Sequence, residues 1–272
     1  MRHKSTLTEN DSNLVIEMYN SGMYLRDISN YFHCRVTKIT DILHSAGIRT
    51  NNEGKYLNRL ANTTYFNVID SEVKAYLLGF ITADGSVRAR ARAGRNFGKT
   101  LRLELQESDE SILDLLSSEL NIKSKKYYRN KNGKVTVSVG ISSTEIVDSL
   151  EKYGVVANKT YILESLFMDL PDDLLRAYLR GLFDGDGSLY ISSGIVHGNF
   201  TEGLEHIVVQ FRDMINSKIG IENTTKIQCN NGVYHAVWNG SNCVKLCEYL
   251  YKDAKYFLPR KYEFAITAIK SN

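Results

Sequence analysis

Leu77-Leu78-Gly79-Phe80-Ile81-Thr82-Ala83-Asp84-Gly85 and Leu179-Arg180-Gly181-Leu182-Phe183-Asp184-Gly185-Asp186-Gly187 are two versions of one segment. Each is an apolar run with a glycine near its start and a small residue, an aspartate and a glycine at its end. They stand roughly 100 positions apart and similar sequence follows each, which marks a duplicated module.

Read as helices, both segments carry small residues four apart on one face, Gly79 with Ala83 and Gly181 with Gly185. Such a face lets two helix backbones approach closely, and packing along it brings Asp84 and Asp186 together at one end. Gly85 and Gly187 are expected in the left-handed turn that closes a helix. A carboxylate at a helix C-terminus is disfavoured by the dipole, and two side by side are worse. The pattern makes sense around divalent cations. Oxygen-only ligands suit Mg²⁺, and Mn²⁺ or Ca²⁺ fits the same sites. Cations so held activate water and stabilise a leaving oxygen, the chemistry of phosphodiester hydrolysis.

The flanking sequence supplies a nucleic-acid partner. From Ser86 to Arg95 arginine alternates with alanine, so a strand would carry Arg88, Arg90 and Arg92 on one face, with Arg95 just beyond. Guanidinium groups match phosphate geometry and guanine edges. A returning strand (100–106) and a helix (109–120) follow. Lys125, Lys126, Arg129, Lys131 and Lys134 then surround an Asn132-Gly133 hairpin turn, and a helix at 144–153 closes the unit. The second copy repeats this order: extended segments at 188–191 and 195–200, a helix at 204–215, an Asn231-Gly232 hairpin and a helix at 243–251. It is less basic, and its contacts are expected from Tyr190, Lys226, Gln228 and Asn230.

Residues 1–50 read as a separate module. Thr8 and Asp11 make a capping-box start, and three short apolar-periodic helices follow, the last two joined by a tight turn. This arrangement resembles a helix-turn-helix DNA-binding domain, whose third helix lies in the major groove. Arg35, Thr37 and Lys38 would face the DNA. Residues 51–70 are expected to form a polar linker, 71–168 the first repeat and 169–272 the second.

Bulk properties agree with an intracellular, cytoplasmic protein. The net charge of +3 is too small to signal nucleic acid by itself, so its distribution carries the reading. The four cysteines form no metal pattern, no stretch is apolar enough to span a membrane, and no secretory signal opens the chain.

The two motif segments resemble the defining motifs of the LAGLIDADG homing endonucleases, in the single-chain, two-repeat form with an added helix-turn-helix. The resemblance covers about residues 72–270. It implies an α+β fold of two pseudo-symmetric αββαββα repeats, each presenting a curved antiparallel sheet to a long, nearly asymmetric DNA site. It further implies that Asp84 and Asp186 are metal ligands, that the carbonyls of Ala83 and Gly185 complete the coordination, and that Lys159 and Lys261 stabilise the transition state. A monomer making a double-strand break with short 3′ overhangs, Mg²⁺-dependent, is the expected activity. Thr82 departs from the pattern, since many relatives carry an acid where the second copy has Asp184; that position serves packing rather than metal binding. Two other readings stand beside this one. Some relatives are non-cleaving transcription regulators, which tend to lose the motif aspartates; others are RNA-binding maturases, the one reading in which RNA is the partner.

Overall fold

The computed structural model describes residues 7–48, 50, 61–92, 95–222 and 226–271, without the side chains of residues 90–97 and 160. The chain forms two compact units, the first of Met1–Asn62 with Asn121–Lys123 and the second of Thr63–Leu120 with Ser124–Asn272.

The first unit is three helices, α1 (Glu9–Asn20), α2 (Leu25–Tyr31) and α3 (Val36–Ser45). The capping box forms at α1: Thr8 Oγ1 accepts from the Asp11 amide at 3.2 Å, and the Asp11 carboxylate accepts from the Thr8 amide at 2.7 Å. Val15 and Tyr19 of α1, Ile28 of α2, and Ile39 and Leu43 of α3 make its core. The turn between α2 and α3 bends at His33, with φ of 49°. Of the expected linker, residues 51–60 lie outside the described residues. Residues 63–70 belong instead to the second unit, where Tyr65, Phe66 and Ile69 are buried. Three buried apolar side chains in eight residues are incompatible with a solvated linker.

The second unit follows the duplication. The first half runs α4 (Glu72–Asp84), β1 (Gly85–Arg92), β2 (Arg95–Gln106), α5 (Ser111–Glu119), β3 (Tyr127–Lys131), β4 (Lys134–Ser142), α6 (Thr144–Glu151) and a short α7 (Lys159–Ile162). The second half runs α8 (Asp172–Asp186), β5 (Gly187–Ser192), β6 (Ile195–Glu202), α9 (Glu205–Ile219), β7 (Gln228–Asn230), β8 (Val233–Asn239), α10 (Ser241–Tyr251) and α11 (Pro259–Lys270). The sheets share one antiparallel order, β1-β2-β4-β3 and β5-β6-β8-β7, so the expected αββαββα repeat is present twice. Both Asn-Gly hairpins form, with φ of 53° and 79° at Asn132-Gly133 and 53° and 77° at Asn231-Gly232, the positive pair that a two-residue hairpin loop requires.

Helices α4 and α8 cross where both lack side chains. A Cβ at Gly79 would overlap the Tyr178 carbonyl oxygen, and one at Gly181 the Tyr76 carbonyl oxygen. Each glycine therefore admits the partner's backbone, as the small-residue spacing predicts.

One expectation needs correcting. Gly85 and Gly187 are extended, with φ/ψ of −72°/142° and −90°/164°, because a strand begins directly at each of them. Glycine is needed there for room: a Cβ would strike Ile81 at the first and Phe183 at the second. Pairing of β1 with β2 shifts register between Ala89 and Ala91, and the extra residue falls on β2: one residue separates Ala89 from Ala91, while two separate their partners Lys99 and Asn96. The side chains of Arg90, Arg92 and Arg95 lie outside the described residues.

Candidate functional site

The two motif helices end side by side. Asp84 is the last residue of α4 and Asp186 the last of α8, and each is followed at once by the first strand of its sheet. The Asp84 Oδ2 lies 3.2 Å from where a Cβ of Gly185 would sit, so the acid of one helix rests against the end of the other. Asp84 keeps access to solvent and Asp186 is half-buried. Burial raises the pKa of both carboxyls. Asp186 is pushed up to about 8, first by burial and then by the nearby carboxylates Glu202 and Asp84. Two acids held where both resist ionisation form a site short of positive charge.

Both predicted lysines reach this place, and they are used differently. Lys159, half-buried at the start of α7, donates from Nζ to the Ala83 carbonyl at 2.5 Å. The carbonyl expected as a metal ligand thus already serves a cation with one of its two lone pairs. Lys261 is buried and donates to the carbonyls of Phe183 (2.6 Å), Asp184 (2.7 Å) and Gly187 (2.5 Å). It caps the C-terminal end of α8 with all three donors, a favourable position for a cation on the helix dipole. Burial pulls both ammonium groups down, Lys261 to about 8.

Asp184 has a structural task. It is fully buried and accepts from Tyr76 Oη (2.9 Å), Tyr251 Oη (2.6 Å) and the Leu258 amide (2.7 Å), tying α4, α10 and the approach to α11 onto α8. At the matched place in the first half, buried Thr82 donates to its own helix, at the Leu78 carbonyl, at 2.8 Å. The substitution therefore trades a buried carboxylate for a self-satisfied hydroxyl and leaves Asp84 in place.

Sequence reasoning missed Glu202. It ends β6, on the face shared with buried Phe200, and its charge acts on both Asp186 and Lys159. No motif marks it; only the strand register places it beside the helix ends. Among the described residues, no three or more His, Cys, Asp or Glu side chains gather as a metal cluster.

The outer faces of the sheets differ in charge. Strand alternation puts Val137, Val139 and Ile141 of β4 inward, and the cross-strand pairs Tyr127 with Ser138, Arg129 with Thr136 and Lys131 with Lys134 outward. Arg88 stands on the same outer face, opposite Thr100. Lys125 lies over the Tyr127 ring, 5.3 Å from its centre. Lys126 is turned away from its predicted part: it pairs with Glu110 at 2.5 Å and Asp114 at 2.6 Å, because the residue before α5 and the first turn of α5 each set an acid beside it. The second sheet's outer face carries Tyr190, Gln228 and Asn230, all exposed, with Tyr190 stacked on His197 at 5.0 Å. Lys226 is exposed just before β7. In the N-terminal unit Arg35 and Thr37 are exposed and Lys38 is half-buried.

Family models match both halves: "LAGLIDADG endonuclease" over residues 77–166 and "LAGLIDADG-like domain" over residues 173–251. Together they cover more than half of the chain and coincide with its two structural repeats. The chain belongs to the LAGLIDADG family, as a single polypeptide with two repeats. Its relatives among curated proteins include a DNA polymerase of Thermococcus hydrothermalis, 25% identical over 169 residues, which are 62% of this chain and 10% of the relative. Another is a DNA polymerase of Thermococcus sp. (strain GE8), 29% identical over 120 residues, 44% of this chain and 7% of the relative. The matched part spans a tenth or less of these relatives. Similar solved structures include the LAGLIDADG meganuclease I-AabMI bound to uncleaved DNA, with TM-score 0.49 and 16% identity over 72% of this chain and 88% of that one. I-SmaMI bound to an uncleaved DNA target with calcium ions has TM-score 0.47 and 15% identity over 72% and 89%. The N-terminal LAGLIDADG domain of DUF199/WhiA has TM-score 0.46 and 16% identity over 71% and 91%. No helix among the described residues is long and apolar enough to cross a membrane.

Proposed function

We propose that this protein is a divalent-cation-dependent, site-specific endonuclease that cuts both strands of a long DNA target as a monomer. The observation that carries this reading is the acid pair: Asp84 and Asp186 lie at two adjoining helix ends, where burial raises both carboxyls and added positive charge favours their ionised forms. The pair suits a hard cation such as Mg²⁺, held by Asp84 and Asp186 with help from the carbonyls of Ala83 and Gly185. When bound, such cations lower the pKa of water and stabilise the departing oxygen. The chain's own residues do the rest. Lys159 lends positive charge near the scissile phosphate, Lys261 fixes the end of α8 and adds to the field, and Glu202 is the acid placed to take the proton of an attacking water. A non-cleaving regulator has no use for a paired acid site, which favours the enzyme over that alternative.

The first sheet then grips the duplex through Arg88, Arg129, Lys131 and Lys134, and the second reads it through Tyr190, Lys226, Gln228 and Asn230. Arg129→Gln and Lys134→Gln should each lower the salt slope of DNA binding by about 1, while Lys126→Gln, already neutralised by Glu110 and Asp114, should leave it unchanged. Equal slopes for all three variants in a salt titration would contradict this division. The N-terminal helices are proposed to add a second DNA contact through Arg35, Thr37 and Lys38. Removing residues 1–50 should weaken target affinity while leaving the cutting rate of the bound complex intact; unaltered affinity in a binding titration would remove that role.

The acid pair also predicts a cation-linked stability. Folded Asp186 keeps its proton up to about 8, whereas the unfolded carboxyl loses it near 3.8. The folded state binds more protons in that window, so stability falls as pH rises through it. At pH 7 without divalent cations, Asp186→Asn should therefore melt above the wild type. Added Mg²⁺ should raise the wild-type melting temperature and leave the Asp84→Asn/Asp186→Asn double variant where it was. A melting series in which Mg²⁺ moves both proteins alike would speak against a cation at this pair. The activity itself is tested by incubating the protein with a randomised duplex library in Mg²⁺ or EDTA and sequencing new ends. One recurrent long sequence, cut on both strands in Mg²⁺ only, is expected.

A further inference from the structure

The two pockets are not built alike. On the Lys261 side, Arg260 forms a two-pronged ion pair with Asp109, Nε to Oδ1 at 2.9 Å and Nη2 to Oδ2 at 3.0 Å. Asp109 is buried in the short 3₁₀ turn (Glu107–Asp109) between β2 and α5 of the first half, and Arg260 is the second residue of α11 in the second half. The pair therefore crosses from one repeat to the other. Its neighbour Lys261 is the residue whose three donors hold the end of α8, two of them on the carbonyls of Phe183 and Asp184 just before Asp186. A two-pronged guanidinium–carboxylate contact fixes direction as well as distance.

Among the described residues, the Lys159 side has no equivalent pair. The residue before Lys159 is Asn158, in left-handed conformation with φ of 59°. Counting from Leu103 and Phe200, which face Gly85 and Gly187 across the strands, the place matched to Asp109 holds His206. His206 donates to the Leu163 carbonyl at 2.8 Å. Lys159 itself holds one carbonyl where Lys261 holds three.

We infer that the Asp109–Arg260 pair is a strut that positions Lys261, and through it the Asp186 end of α8, in one pocket only, so that its loss slows the cut of one strand and spares the other. Asp109 and Arg260 are positioning residues: they touch no reacting atom, and their opposite charges act on Asp84 in opposite directions. This rests on the endonuclease reading above. Removing Arg260 leaves a buried acid without its partner and frees the first turn of α11 to shift. A misplacement of about 1 Å near reacting groups costs up to roughly a hundredfold in rate.

The test uses the full chain and a supercoiled plasmid bearing the sequence recovered from the library, with each strand's nick measured separately under single-turnover conditions in Mg²⁺. Arg260→Met should cut one strand roughly ten- to a hundredfold more slowly, the other at the wild-type rate, with unchanged affinity. Arg260→Lys, which keeps the charge and can keep one of the two prongs, should restore part of the loss, and Asn158→Ala should slow neither strand. Equal slowing of both strands, or no slowing, overturns the strut. Asp109→Asn retains an acceptor for Arg260 and replaces the Met variant if that protein melts early. A second readout needs no cleavage: amide hydrogen exchange at 261–263 should quicken in Arg260→Met while the start of α7 is unaffected, and unchanged exchange at 261–263 overturns the inference. If the wild type cuts no DNA, the endonuclease reading fails, and the exchange result still decides whether the pair positions α11.

Discussion

Replacing Asp84 or Asp186 by Asn should abolish double-strand cleavage while the protein still holds its target. On the proposed reading each change removes one of the two carboxylate ligands and leaves the other carboxylate with backbone oxygens to hold a cation. The strand cut that depends on the lost acid should slow by roughly a thousandfold or more, the scale on which transition-state charge stabilisation acts. Binding should persist, because taking negative charge away from a phosphate-facing site does not weaken attraction to DNA. The double variant should nick neither strand. Single-turnover assays with each strand labelled separate the two losses, and a single variant that still cuts both strands at the wild-type rate would remove that aspartate from the site.

The second large effect concerns the interface that creates the acid pair. In Gly181→Val the Cβ alone would overlap the Tyr76 carbonyl oxygen and crowd the Phe80 amide nitrogen at 2.7 Å, both backbone atoms of the facing helix. A flexible side chain could move aside; a helix backbone moves only by separating α4 from α8. That also strains the Tyr76–Asp184 hydrogen bond and the Arg180–Glu72 pair, which join the same two helices. The expected loss is about 3–5 kcal/mol, at the severe end for a single substitution. Gly79→Val should behave alike, since its Cβ would overlap the Tyr178 carbonyl oxygen. Urea unfolding measures both, and a loss below about 1 kcal/mol would mean the helices do not touch at these glycines.

The sequence was most legible where one residue type has one physical use. Small residues four apart foretold the helix crossing, and the Asn-Gly pairs foretold both hairpins, because positive φ at two successive positions leaves few other choices. Legibility ended where a residue's part depends on neighbours distant in the chain. Lys126 reads as one more cation in a basic run, and only the fold sets it against Glu110 and Asp114. Lys261 was found by its place in the repeat, yet its three carbonyl partners follow from the packing of α11 on α8. Glu202 and the Asp109–Arg260 pair carry no local signature at all, since strand register and contact between the repeats bring them to the site.

The measurement that bears most directly on the central claim is a capture-and-chase experiment. The protein is loaded with its selected DNA in Ca²⁺, washed, and then given Mg²⁺, with the Asp84→Asn/Asp186→Asn variant run in parallel. The wild-type complex should yield two cut ends from one sequence while the variant retains the same DNA intact. A wild-type complex that holds one sequence firmly and leaves it uncut after Mg²⁺ would contradict the claim that the paired aspartates are there for hydrolysis.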